Sequence, residues 1–165
     1  MNLPRKAGET ELYYLCRVGL TASVARKLSM RSFDVEGRSY GETTLMTASR
    51  YGHLEICRLL IEKGAKADAR ELVGMTSLHF ALKYVEIVRL LCDHGADIDA
   101  REGLFNLTAL SMAAYEGHLD VVQELVERNA EINARNTDGW TALMGARVNG
   151  KADVAAYLVA HGGII

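Results

Sequence analysis

The sequence predicts an all-α solenoid of stacked helix-turn-helix units with β-turn fingers projecting between them. Three observations carry that prediction. Threonines at Thr10, Thr43, Thr76, Thr108 and Thr141 recur at spacings of 33, 33, 32 and 33, each with a leucine two places on: Leu12, Leu45, Leu78, Leu110 and Leu143. A second block recurs as Gly52-His53-Leu54-Glu55-Ile56 and Gly117-His118-Leu119-Asp120-Val121. A third recurs as Gly64-Ala65-Lys66-Ala67-Asp68-Ala69-Arg70, Gly95-Ala96-Asp97-Ile98-Asp99-Ala100-Arg101 and Asn129-Ala130-Glu131-Ile132-Asn133-Ala134-Arg135. Three blocks in one order at one period define a repeat array.

Each block has a mechanical reason. A threonine followed by an apolar stretch starts a short helix, because its hydroxyl satisfies a free amide of the first turn. The Gly-His pair breaks that helix and lets a second run back antiparallel. Ile56, Leu59 and Leu60, and likewise Ile87, Leu90 and Leu91, follow the i, i+3, i+4 spacing of an apolar stripe. Gly64 and Gly95 end the second helix, and the segment up to the next threonine is extended and projects as a turn. Helices of about 8–10 residues do not hold alone; stacking gives them one continuous core.

The period and the Gly-His and Gly-Ala-Asp blocks resemble the ankyrin repeat over residues 8–163. The resemblance implies five units in a single domain over 1–165, at about 8–40, 41–73, 74–105, 106–138 and 139–165. It departs from the family pattern in places. Thr44, Ser77, Ala109 and Ala142 stand where the family's Thr-Pro-Leu-His carries proline, and only Leu78-His79 keeps the Leu-His pair. The first unit lacks both glycine blocks and reads as a worn cap. The last, with Lys151, Ala155 and Ala156 on its outer helix, reads as a cap facing water. In the third, Ala81-Leu82-Lys83-Tyr84 runs straight into Val85 without the Gly-His break, two residues shorter than its neighbours. The following turn gains one residue at Gly103-Leu104-Phe105-Asn106. A tolerated deletion is the simpler reading of Tyr84, a binding adaptation the other.

Composition narrows the function. Net charge is −2 and no long run of one sign occurs, so neither nucleic acid nor an anionic membrane is an expected partner. No stretch reaches the ~18 apolar residues of a membrane span, and no apolar run follows the basic residues of the amino terminus as in a leader. Cys16, Cys57 and Cys92 cannot all pair and sit in apolar helical patterns; they read as buried free thiols of a cytoplasmic protein, the nucleus or a host cell being other destinations.

No catalytic constellation appears. His53, His118 and His79 occupy repeat positions, and His94 and His161 precede a helix-ending glycine, where a cation suits the helix dipole. Cys92-Asp93-His94 is the nearest approach to a zinc set and has no second pair. Glu55, Glu86 and Asp120 recur on a solvated outer face. No metal, cofactor or small-molecule substrate is expected, and the chain is expected not to be an enzyme. Leu125, Glu131, Ile132 and Asn133 are similar to the acceptor pattern of the asparaginyl hydroxylase that modifies ankyrin repeats, making Asn133 a candidate modification site. The simpler reading is that Asn133 ties its turn by side-chain-to-backbone hydrogen bonds.

What remains is a binding surface. In the family, partners contact the finger turns and the palm of first helices. The second unit places Tyr40, Arg50 and Tyr51 there, and the third Leu72, Val73, Met75, Phe80, Lys83 and Tyr84. The fourth supplies Leu104, Phe105, Leu107, Met112, Tyr115 and Glu116; the fifth supplies Asp138, Trp140, Val148 and Asn149. Turn tips are normally polar, so this apolar, aromatic set predicts a protein interface. The expected function is a scaffold or adaptor, monomeric alone, that binds another protein. The alternatives are a microbial or parasite effector acting in a host and an inhibitory regulatory subunit of an enzyme such as a kinase.

Overall fold

A computed structural model describes residues 10–30 and 34–165. The start of the first unit and the amino terminus read for a leader lie outside the described residues. Helices α1 (Glu11–Val18), α3 (Thr44–Arg50), α5 (Ser77–Phe80), α7 (Ala109–Glu116) and α9 (Ala142–Val148) form an inner layer. Helices α2 (Thr21–Leu28), α4 (Leu54–Glu62), α6 (Val85–Asp93), α8 (Leu119–Glu127) and α10 (Ala152–Ala160) form an outer one. Each inner helix packs on its outer partner and on the next inner helix. The strands are β1 (Arg38–Ser39) and β2 (Glu42–Thr43), an antiparallel pair in the first described finger.

The inner helices begin where the threonines predict. Thr10, Thr43, Thr108 and Thr141 accept hydrogen bonds from the amides of Tyr13, Met46, Ser111 and Met144 at 3.2–3.4 Å. Such caps contribute about 1 kcal/mol each. Thr76 differs: its amide donates to Nδ1 of buried His79 at 3.1 Å, while the other ring nitrogen lies 3.3 Å from the Leu107 carbonyl. His79 therefore carries its proton on Nε2. Burial foremost, opposed by its hydrogen bonds, lowers its pKa.

The core is two columns on the outer helices. Val24, Ile56, Ile87, Val121 and Val154 form one, and Leu28, Leu60, Leu91, Leu125 and Leu158 the other; all are buried. They pack against Leu12, Leu45, Leu78, Leu110 and Leu143, which are also buried. Burying a side chain of this size contributes about 1.5–3 kcal/mol, which lets eight-residue helices persist. His94 and His161 close outer helices by placing Nδ1 2.8 Å from the carbonyls of Leu90 and Tyr157.

Three expectations need correction. Cys16 and Cys57 are fully buried, their thiols pushed up to about 12 mainly by burial, but Cys92 is only half-buried and rises to about 11. Lys151 lays its aliphatic stem over Gly117 rather than serving only as a solvated charge. Tyr84 is a packing residue, not part of the palm: its ring lies over Gly52, as the His53 ring lies over Gly19. The two-residue deletion thus leaves the stacking contact intact, with tyrosine doing what histidine does one unit earlier.

Candidate protein-binding face

The fingers are built from the third repeat block and its continuation. In the three fingers after the first, one acceptor side chain collects the amides of the turn. Glu71 accepts from Val73 and Met75 at 2.9 Å each, and Asn136 from Asp138 and Trp140 at 3.0 and 2.8 Å. Glu102, in the turn with the extra residue, accepts three: Leu104 at 2.8 Å, Phe105 at 2.6 Å and Leu107 at 3.1 Å. Burial alone would raise the Glu102 pKa, but those three donors hold it below the ordinary carboxylate value.

Neighbouring fingers are joined to each other. The Gly103 amide donates to the Val73 carbonyl at 2.6 Å and the Thr137 amide to the Phe105 carbonyl at 2.9 Å. Arginines run a second ladder: Arg38, Arg70 and Arg101 each donate to the backbone carbonyl of the next arginine, Arg70, Arg101 and Arg135, at 2.8–2.9 Å. Arg135 ends it on the Ile165 carbonyl at 3.5 Å. These charge-assisted bonds fix the spacing of the fingers.

Asn133 has both ends of its amide occupied. It donates to the Gly162 carbonyl at 3.0 Å and accepts from the Ile164 amide at 2.9 Å. Asp99 likewise accepts from the Glu131 amide at 2.8 Å. The position links one unit to the next rather than closing its own turn.

The palm side chains separate into two grooves. The first, about 380 Å³, is lined by charged groups around an aromatic: Arg50 sits 4.0 Å over the Phe80 ring and pairs with Glu42, with Glu71, Lys83 and Glu116 at the rim. The second, about 290 Å³, lies between Phe105, Leu107, Met112, Tyr115 and Trp140. Its floor is Gly145, where the equivalent positions of the other inner helices carry Tyr14, Thr47, Phe80 and Met112. A Cβ there would meet only Tyr115, at an ordinary 3.8 Å. The missing side chain opens the groove.

Most of the expected face is exposed. Tyr51, Leu72, Val73, Leu104 and Val148 stand in solvent, and Tyr40 packs edge-on against Tyr13 at 5.9 Å. Met75, Phe80, Leu107 and Met112 are half-buried groove walls. Asn149 is turned away, its amide donating to the Gly145 carbonyl at 2.9 Å. Asn136, Ser111, Thr141 and Gly145 also line the second groove and were missed by sequence reasoning. Among the described residues no group of three or more His, Cys, Asp or Glu could hold a metal, and no helix is long and apolar enough to cross a membrane.

The family model for ankyrin repeats (3 copies) matches residues 12–102 and 99–164. The chain belongs to the ankyrin-repeat family. Relatives include a palmitoyltransferase AKR1 of Lachancea kluyveri, 31% identical over 85% of this chain and 20% of its own length. An ankyrin repeat and SAM domain-containing protein 6 of Danio rerio is 30% identical over 72% of this chain and 16% of its own. An ankyrin repeat and KH domain-containing protein of Caenorhabditis briggsae is 35% identical over 87% and 5%. The chain therefore spans a fifth or less of the length of these relatives. Ankyrin repeats are generally protein-interaction modules, and this ankyrin array carries two grooves on its finger and palm side.

Proposed function

We propose that this ankyrin array is a non-enzymatic scaffold that holds a partner protein on its finger and palm face, anchored in the groove between Phe105, Tyr115 and Trp140. The carrying observation is that groove. Three exposed aromatic side chains converge on a depression whose floor is a glycine, flanked by fingers tied rigidly to each other. Aromatic anchors in pre-formed pockets are the residues that carry binding energy at interfaces. The structural employment of the histidines supports the non-catalytic part of the reading: His79 caps a helix start, His94 and His161 helix ends, and His53 and His118 hydrogen-bond Arg17 and Glu116. Monomeric action in the cytoplasm belongs to the same proposal, on the free thiols and mixed surface charge.

Photo-crosslinking tests it. A crosslinking side chain placed at Tyr115 is expected to trap a discrete partner from cells, while one at Arg58, on outer helix α4, traps none. Crosslinks from Arg58 alone would move the binding surface to the outer layer.

A further inference from the structure

The charge around the two grooves differs in a way that selects the ligand. The seventh place after each threonine holds Arg17, Arg50, Lys83, Tyr115 and Val148. That one position is thus basic in the first three units and apolar in the last two. The second groove has only two charged residues in its lining, Glu116 and Asp138, and both are acidic. Glu116 accepts from the ring of His118 at 2.8 Å, and no Lys or Arg side chain among the described residues pairs with Asp138. The first groove, by contrast, already holds Arg50 and Lys83 among its carboxylates.

We propose that the second groove takes an apolar segment of a partner protein bearing a basic side chain, the apolar part resting on Gly145 between Phe105, Met112 and Trp140 and the cation meeting Glu116 and Asp138. Charge complementarity carries the choice of occupant. An acidic segment would bring like charges together in a part-desolvated site, which costs affinity, whereas a guanidinium or ammonium gains both carboxylates and the faces of Tyr115 and Trp140. This inference rests on the proposed scaffold function and adds the chemistry of what is bound.

Trp140 is the sole tryptophan of the chain, so its emission reports on the groove directly. The intact protein is titrated with three synthetic peptides that share a Leu-Phe-Leu centre and differ in flanking Arg, Gln or Glu. The Arg-flanked peptide is expected to bind about tenfold more tightly than the Glu-flanked one, with the gap narrowing as salt is raised. Glu116→Gln with Asp138→Asn should erase the gap between the Arg- and Glu-flanked peptides. Gly145→Leu should block all three, with far-UV circular dichroism confirming that its helices form. Equal affinities, or a preference for Glu, would overturn the basic-segment assignment while sparing the groove as a binding site. An emission that no peptide alters, or binding that survives Gly145→Leu, would overturn both.

Discussion

The two grooves of the palm are made from the same repeat positions and come out chemically opposite. In the first, the place four residues after the threonine holds Phe80 and the place seven after holds Arg50 and Lys83, so the groove is lined by its own cation–π contact and ion pair. In the second, the same places hold Gly145 and Tyr115, and the space stays open with aromatic walls. A repeat scaffold fixes where a side chain stands, and function lies in which positions depart from their column.

The largest expected effect concerns what holds the second groove's wall. Glu102→Ala leaves the amides of Leu104, Phe105 and Leu107 without their acceptor and should destabilise the fold by roughly 2–3 kcal/mol, read by chemical denaturation. It should also weaken any ligand of the second groove more than one of the first. A loss below about 0.5 kcal/mol, the size of an ordinary surface change, would show that the turn does not depend on this carboxylate.

Behind the first groove, Gly52 carries the Tyr84 ring, with φ of 77° and a would-be Cβ only 2.4 Å from a ring carbon. Gly117, with φ of 89°, carries the flexible stem of Lys151 instead. Both glycine-to-alanine changes incur the left-handed penalty of about 1–2 kcal/mol. Gly52→Ala should cost about 1 kcal/mol more, because a ring cannot bend aside as a lysine stem can. Equal melting losses would mean that Tyr84 moves freely and does not replace the histidine of its neighbours.

Acid separates the two grooves as well. His79 lies in the first and its folded pKa is below the unfolded 6.5, so the stability it contributes is complete above that value and declines as pH falls below it. Glu102 braces the second and its folded pKa is below 4.5, so its contribution holds above that value and is lost as pH falls through the folded one. Unfolding free energies measured across pH should show a first decline below about 6.5 that His79→Gln removes, with a second below about 4.5 that it leaves intact. An unchanged first decline in the variant would assign it elsewhere.

Much of this was legible in the sequence, for a definite reason. Threonine caps and helix-ending glycines act within one unit, and the apolar columns take one residue of the same kind from every unit, so each repeat displays them again. What was not legible depends on contacts between units. Arg70, Arg101 and Arg135 are visible as a repeated letter, but their partner is a carbonyl one unit away. Tyr84 reads as an exposed aromatic because its packing site, Gly52, belongs to the preceding unit. The second groove was seen in part, since Phe105, Tyr115 and Trp140 announce themselves, whereas Gly145 contributes by lacking a side chain.

That glycine gives the smallest and cleanest comparison. Gly145→Ala puts a helix-favouring residue inside α9 where the Cβ meets only an ordinary contact, and should stabilise the fold by about 0.5–1 kcal/mol. Destabilisation in thermal unfolding would mean that the groove floor is tighter than its geometry indicates.

The central claim, that the second groove anchors a partner protein, is tested most directly by changing Phe105, Tyr115 and Trp140 together to alanine and measuring partner affinity alongside far-UV circular dichroism. All three are exposed, so the helical signal should be unchanged, while affinity for the partner trapped from the Tyr115 position should fall at least thirtyfold, about 2 kcal/mol, as expected on losing even one aromatic anchor. Full affinity with intact helicity would contradict the account and place the binding surface off this groove.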